Sequence, residues 1–419
     1  MGNIRYKGGN YTKDTRSSYV QVEPLSVTAN GTYTAESGKA YNPVSVNVEP
    51  PQLVSENDVT FYDYDGTVVY SYSAAEFAEL DSMPSNPTHE GLTSQGWNWS
   101  LSDAKSYVAD YGKLNIGQMY ITDDGKTRAV IQLEEGRLSP TLGLGLNGTA
   151  TIDWGDGSAT TTMAGADINT TYYSAHNYAS AGEYVISIDI TGNAKIGGAV
   201  TYTRFLSKNV ASAAENIVYA NTLKAIYLGD NISLGLYSFN SCYSLTKIII
   251  PTTMTSFGSD GDGIFWKCYA LTHVIIPNTF TFIGYNVFEN CSTLKSIIIP
   301  NTITSIGTGT CKSCYALKDI IIPSSVTSIG NSAFYTSRSL SFITIPDSVT
   351  SIGANVFNDC CGLGTVKFTS TTPPTISNSN TWSIVPTDCK ILVPQGTLET
   401  YEAAQNYPNP NTYTYEEYA

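Results

Sequence analysis

Between Leu223 and Phe368 the apolar and polar positions recur about every 23 residues, and each period contains one short β-like run. Five prolines mark the repeat, Pro251, Pro277, Pro300, Pro323 and Pro346, spaced 26, 23, 23 and 23 apart. Each closes an Ile-rich run such as Ile248-Ile249-Ile250, Ile297-Ile298-Ile299 or Ile320-Ile321-Ile322. Further columns hold Leu245, Leu271, Leu294, Leu317, Leu340 and Leu363, then Ile283, Ile306, Ile329 and Ile352, each followed by Gly, then Phe239, Phe265, Phe288, Phe334 and Phe357. No single unit can bury its own apolar face, so a fixed period of this length with one strand per unit predicts stacked coils of a solenoid. Within each run the leucine and the first and last apolar residues point inward, and the residue between them points out. That outward column reads Ile249, Ile275, Ile298, Ile321, Thr344 and Lys367. Four stacked isoleucines on a surface predict a subunit interface, as of a homotrimer, or a face covered by the chain's own N-terminal part, unless they reflect only the β-propensity of a flat sheet.

The repeated pattern Leu-x-x-Ile-x-Ile-Pro-x-x-Val-x-x-Ile-Gly-x-x-x-Phe-x-x-Cys resembles the BspA-type leucine-rich repeat, a bacterial cell-surface and phage-associated family, and six units carry it in register. The resemblance implies a right-handed solenoid that binds proteins, glycans or cells and has no chemistry of its own. It also accounts for most of the cysteines. Cys242, Cys268, Cys291, Cys314 and Cys360 each follow the Phe column by three residues, and Cys311 stands in the Phe position of its own unit. A buried thiol ladder is therefore expected, ahead of disulfides or a metal at Cys311-x-x-Cys314. Only Cys361 and Cys389 lie off these columns.

One residue beyond the cysteine column stand Tyr243, Tyr269, Ser292, Tyr315, Arg338 and Cys361, and one residue beyond the Phe column stand Trp266 and Tyr335. Aromatics repeated at regular rungs suit sugar-ring stacking or a protein hot spot. Tyr243, Trp266, Tyr269, Tyr315, Tyr335 and Arg338 are thus the candidate receptor-binding residues, and Ile249, Ile275, Ile298 and Ile321 the candidate oligomer interface.

The rest of the chain is predicted to be mainly β as well. Residues 1–51 read as a polar arm and a small β-module, with a turn at Asn30-Gly31 and a strand at Val44–Val48 before Pro50-Pro51. Residues 52–140 read as hairpin, two helices, hairpin. The first turn is Asp65-Gly66, Ser73 and Ser100 or Ser102 cap helices near Ala74–Leu80 and Asp103–Tyr111, Gly112 ends the second, and the last hairpin turns at Asp123-Asp124-Gly125. Residues 141–200 contain Trp154-Gly155-Asp156-Gly157 and a later His176-x-Tyr178 with Gly182-x-Tyr184, which resemble a PKD-type immunoglobulin-like sandwich and imply a spacer. The solenoid occupies 201–368, and 369–419 resembles a BspA-type end-cap, which a coil stack needs on physical grounds.

Charge removes some partners. The net charge is −14, yet residues 223–368 hold eight basic and seven acidic side chains, so no basic footprint for nucleic acid exists. No run of 18 apolar residues occurs, which argues against membrane insertion by a helix, and Met1–Lys7 lacks the apolar core of a secretion signal. The sharpest enzymatic motif is Phe61-Tyr62-Asp63-Tyr64-Asp65-Gly66-Thr67-Val68, which matches the nucleophile segment of haloacid-dehalogenase-type phosphotransferases. Its surroundings are too short for the parallel sheet that chemistry needs. Asp153 and Asp156 offer too sparse a donor set for calcium, and the turn itself explains them. His89, His176 and His273 are scattered, with no catalytic triad spacing, and His176 is expected to satisfy a hydrogen bond inside its module. No cofactor and no enzyme activity are expected. Segments Tyr62–Gly66, Gln95–Trp99 and Met119–Gly125 resemble leucine-rich-repeat proteins of gut-bacterial prophages. This favours a virion tail-tip protein that meets other tail proteins at one end and a bacterial surface glycan or protein receptor at the other. The alternative is a secreted bacterial surface adhesin.

Overall fold

The computed structural model describes residues 58–197, 205–207, 219–257 and 263–418, and the backbone of short strands before residue 42. The chain divides into two compact units, Met1–Glu56 and Asn57–Ala419. In the first, Ile4–Tyr6, Gly9–Lys13 and Tyr19–Val22 form one antiparallel sheet, and Leu25–Val27, Tyr33–Ala35 and Ala40–Tyr41 a second. Strands therefore replace the expected polar arm. The Asn30-Gly31 turn and the Val44–Val48 run lie outside the described residues.

The second unit opens with a four-stranded sheet in the order Val68–Tyr72, Val59–Tyr62, Leu114–Thr122, Leu92–Trp97. Helix α1 (Ala74–Ala78) starts at Ser73, whose hydroxyl accepts from Glu76 N while Glu76 accepts from Ser73 N. Helix α2 (Leu101–Tyr111) is capped by Ser100 and ended by Gly112 at φ 81°. The final hairpin is corrected. Leu114–Thr122 pairs with Val59–Tyr62 and Leu92–Trp97, whereas Thr127–Leu133 pairs with Gly182–Ile196 and Leu223–Tyr227. The Asp123-Asp124-Gly125 turn is where one sheet hands the chain to another.

The expected sandwich is also corrected. Thr141–Asp153, Thr161–Ala175 and Gly182–Ile196 are long neighbours in one eight-stranded sheet, which continues through Thr127–Leu133 into Leu223–Tyr227 and Lys247–Ile249, the first strands of the solenoid. The local motif nevertheless folds as its residues suggest. Trp154 is fully buried and donates its indole N–H to Thr161 Oγ1 at 2.9 Å. His176 stacks on it at 4.8 Å and pairs with Asp156 at 2.7 Å. The Ser158 hydroxyl and His176 together hold the Asp156 carboxyl down at about 2.

Beyond Leu223 most coils contribute a short parallel strand to one face, and the coils from Phe282 onward contribute a shorter one to another. The second face is a five-stranded parallel ladder, Phe282–Ile283, Ser305–Ile306, Ser328–Ile329, Ser351–Ile352 and Thr375–Ile376. The glycines after these isoleucines serve close approach between coils: a Cβ on Gly307 would stand 2.5 Å from Gly284 O, and one on Gly330 2.6 Å from Thr308 N. Rings of the Phe column stack coil on coil, Phe239 on Phe265 at 5.4 Å and Phe265 on Phe288 at 5.6 Å. The stack ends on Lys390–Pro394 and Thr414–Tyr418, two further parallel rungs, with helix α3 (Leu398–Glu402) and a cluster of Phe368, Trp382, Tyr401 and Tyr407.

Candidate functional site

The outward isoleucine column is not free for a second subunit. Ile249 and Ile298 are 3% and 1% exposed, and Ile275 and Ile321 are half-buried, because the four-stranded sheet and α2 lie on them. Gln118, Met119 and Tyr120 face Ile249 and Ile275 across a narrow crevice. The contact is held by hydrogen bonds to solenoid carbonyls. Asn98 Nδ2 donates to Ile276 O at 3.2 Å, Trp99 Nε1 to Ile299 O at 2.9 Å, and Tyr107 Oη to Ile322 O at 2.9 Å. Tyr111 Oη adds Asp347 Oδ1 at 2.9 Å. Of the two occupants expected for this face, the chain's own N-terminal part is the one present, which corrects the assignment of Ile249, Ile275, Ile298 and Ile321 to an oligomer interface.

The enzyme-like motif belongs to the same contact. Asp63 sits 6% exposed in the hairpin turn, where its carboxylate accepts from Tyr64 N and pairs with His89 Nε2 at 2.7 Å. Asp65 accepts from Thr67 N, meets Lys247 Nζ at 3.6 Å and is held below the usual carboxylate range by those partners despite its burial. The ring of Tyr62 stacks over His273 at 6.5 Å. Asp65 therefore fastens the turn to the first coils, whereas Asp63 ties it to His89 within its own module. Asp123 and Asp124 are taken by Arg128, at 3.2 and 3.0 Å. A polar cleft of about 440 Å³ lies between Tyr64, His89, Glu90, Arg128 and Tyr227. Among the described residues no group of three or more His, Cys, Asp or Glu side chains is placed to hold a metal ion.

The six candidate receptor-binding residues separate into two rows. Tyr243, Tyr269, Tyr315 and Arg338 share one. Tyr243 and Tyr269 stack at 4.8 Å with planes 13° apart, and the Arg338 guanidinium lies 5.6 Å over the Tyr315 ring. Arg338 is anchored by Asp359, whose Oδ2 accepts from both Nη2 at 2.6 Å and Nε at 3.2 Å, a charge-assisted pair that holds the guanidinium in place. Tyr269 and Tyr315 are 39% and 43% exposed, so this row is open to solvent. Burial of its inner edge and the neighbouring Tyr243 raise the Tyr269 hydroxyl above its ordinary value. Trp266 and Tyr335 are half-buried in the second row, parted by the Glu289–Lys312 ion pair at 2.9 Å. The Trp266 ring is covered by Lys267 at 4.6 Å and flanked by Tyr237 at 5.8 Å. The second row is thus not a continuous aromatic surface. Asp359 escaped sequence reasoning, although its place one coil beyond Arg338 could have pointed to it. Tyr285, 50% exposed beside Phe282, escaped too, because it lies on a column that is not aromatic in the other coils.

A parallel β-solenoid with an open aromatic row has the layout of a repeat-based binding protein. Residues 201–261 and 260–380 match the family described as BspA type Leucine rich repeat region, in six copies. Among solved structures, the leucine-rich repeat protein TpLRR of T. pallidum is 25% identical over 35% of this chain and 78% of its own, with a TM-score of 0.30. A leucine-rich repeat protein of Bacteroides ovatus is 25% identical over 50% of this chain and 54% of its own, TM-score 0.33. A leucine-rich cell surface protein of Faecalibacterium prausnitzii is 20% identical over 46% and 59%, TM-score 0.27. The chain thus spans about half the length of the last two. No curated protein matches it. Among the described residues no helix is long and apolar enough to cross a membrane.

Proposed function

We propose that this chain is a non-enzymatic binding protein that meets a cell-surface receptor through the row Tyr243, Tyr269, Tyr315 and Arg338. The observation that carries the reading is an inequality between two faces: the apolar Ile column is covered from within the chain, while the aromatic row one corner away stays exposed and is braced by Asp359. Exposed Tyr and Arg are the side chains from which hot spots are built. Alanine at Tyr269 and Tyr315 together is expected to weaken binding to receptor-bearing cells by about tenfold or more, with an unchanged circular dichroism spectrum. Unchanged binding would remove the row from consideration.

The specific role proposed is that of a phage tail-tip protein. It is supported by the separate N-terminal unit Met1–Glu56, suited to docking on other tail proteins, and by the prophage-like segments around Tyr62, Trp97 and Tyr120. A second reading, a bacterial surface adhesin, is favoured by the BspA-type repeats themselves, which cell-surface proteins also carry. Immunogold labelling separates them: gold on virion tail tips supports the first, and gold on the cell envelope the second.

A further inference from the structure

The aromatic row has a gap of one coil. It runs Tyr243, Tyr269, Ser292, Tyr315, Arg338, and Ser292 puts a small hydroxyl where its neighbours carry rings. The two rings that border the gap are both backed on the far side: Tyr243 covers one face of Tyr269, and Arg338 covers one face of Tyr315. Their opposite faces look toward the Ser292 rung, and both side chains are more than a third exposed. Burial and Tyr243 raise the Tyr269 hydroxyl, and Tyr315 adds to that rise from across the gap.

The width of the space selects its occupant. Adjacent members of the row stand 4.8 Å apart at Tyr243 and Tyr269 and 5.6 Å apart at Tyr315 and Arg338. Two coils at the usual strand spacing therefore part Tyr269 from Tyr315 by about 10 Å. Carbon contacts of about 3.5–4.0 Å on each face use up about 7–8 Å of that and leave about 2 Å for the body of the ligand. A planar ring or peptide group is too thin to touch both faces, whereas a puckered saturated six-membered ring fills the space. Its axial C–H groups would lie on the negative faces of the tyrosines, and its hydroxyls would emerge toward Ser292 and solvent.

We propose that the slot at Ser292 binds a pyranose ring of a cell-surface saccharide, sandwiched between Tyr269 and Tyr315. This rests on the reading of the row as the contact surface and names the ligand class it takes. The test uses the full chain and the methyl pyranosides of glucose, galactose, mannose and N-acetylglucosamine, read by saturation-transfer NMR. At least one glycoside is expected to bind. Ser292→Tyr, which fills the slot while continuing the stack, and Tyr315→Ala, which removes one wall, are each expected to weaken that binding tenfold or more. Absence of binding by all four glycosides, or equal binding to both variants, overturns the slot. Cell binding then tells the two readings apart. If Ser292→Tyr keeps it and Tyr269→Ala loses it, the row is a protein hot spot and the saccharide slot is wrong. If neither variant changes it, the row itself is not the contact surface.

Discussion

In four coils the thiol of the cysteine column donates to the carbonyl of the phenylalanine column one coil earlier: Cys268 to Phe239 O at 3.2 Å, Cys291 to Phe265 O at 3.1 Å, Cys314 to Phe288 O at 3.2 Å and Cys360 to Phe334 O at 3.1 Å. Ser337, in the same column, donates to Cys311 O at 3.0 Å. The side chain thus fills the interior and also adds a second donor to a corner carbonyl that already accepts from the backbone N–H three residues on. The column was legible because a period is a property of the sequence; the carbonyl partner was not, because it depends on how one coil sits on the next. Burial pushes the Cys268, Cys291 and Cys314 thiols up, and Cys360 and Cys389 to about 12. In the unfolded chain these groups ionise near 9, so above that pH the unfolded state loses protons that the native state keeps. Stability should be intact below about 9 and fall as pH rises toward about 12, with the buried tyrosines acting in the same direction. The urea midpoint is expected to be lower at pH 10.5 than at pH 8. A thiol reagent at pH 8 should label one of the eight cysteines promptly, the exposed Cys361, and all eight in denaturant. Prompt labelling of several would show that the ladder opens.

At the scale of elements, alternation along the Ile runs correctly pointed Ile249, Ile275, Ile298 and Ile321 outward, but nothing local to those runs told what covers them. Leu114–Thr122 is the element that does. It is buried along almost its whole length, with Val59–Tyr62 on one edge, Leu92–Trp97 on the other and the solenoid beneath. The turn signal at Asp123-Asp124-Gly125 was correctly read as a turn. Hairpin pairing failed because both flanking strands had more extensive non-local partners. Gly117 marks the tightest point: a Cβ there would stand 2.5 Å from Ile275 Cγ2, while its N–H donates to Asn98 Oδ1 at 2.8 Å. Gly117→Ala is expected to cost about 1–3 kcal/mol by overpacking, seen as a lower denaturation midpoint. Ile298→Lys buries an unpaired ammonium under the covering sheet and should cost still more, without changing the solution mass of whatever remains folded. A stable Ile298→Lys protein of altered mass would restore the subunit interface.

Most of Asn57–Ala419 is joined by one core that runs from Ala129 in the eight-stranded sheet to Tyr401 in the end-cap, with a second, smaller core between the four-stranded sheet and its helices, and this continuity decides what can be cut away. At its N-terminal end the solenoid is closed by an antiparallel partner, Thr127–Leu133 on Leu223–Tyr227. At its C-terminal end it is closed by two extra parallel rungs whose aromatic cluster sends hydroxyls back to the chain, Tyr401 to Ser370 O at 2.7 Å and Tyr407 to Pro374 O at 2.9 Å. The end-cap was legible as a break in the period after Thr371-Thr372-Pro373-Pro374. The N-terminal closure was not, because the Trp154 and His176 motif suggested a free-standing sandwich and its strands merge into the solenoid's own sheet. Closure at both ends predicts that the coil stack fails when one end is opened, since the last coil would then expose its core and an unpaired strand edge. A chain ending at residue 370 leaves Phe357 and Phe368 without Trp382, Tyr401 and Tyr407. It is expected to melt lower and to aggregate, as measured by light scattering during a thermal ramp. Removal of residues 1–56 leaves both closures and both cores in place, so the melting temperature of the remaining unit should stay where it was. Equal melting temperatures for the full chain and the chain ending at 370 would mean that the repeats stand without their cap, against the nearest-neighbour logic by which each coil is stabilised by the next.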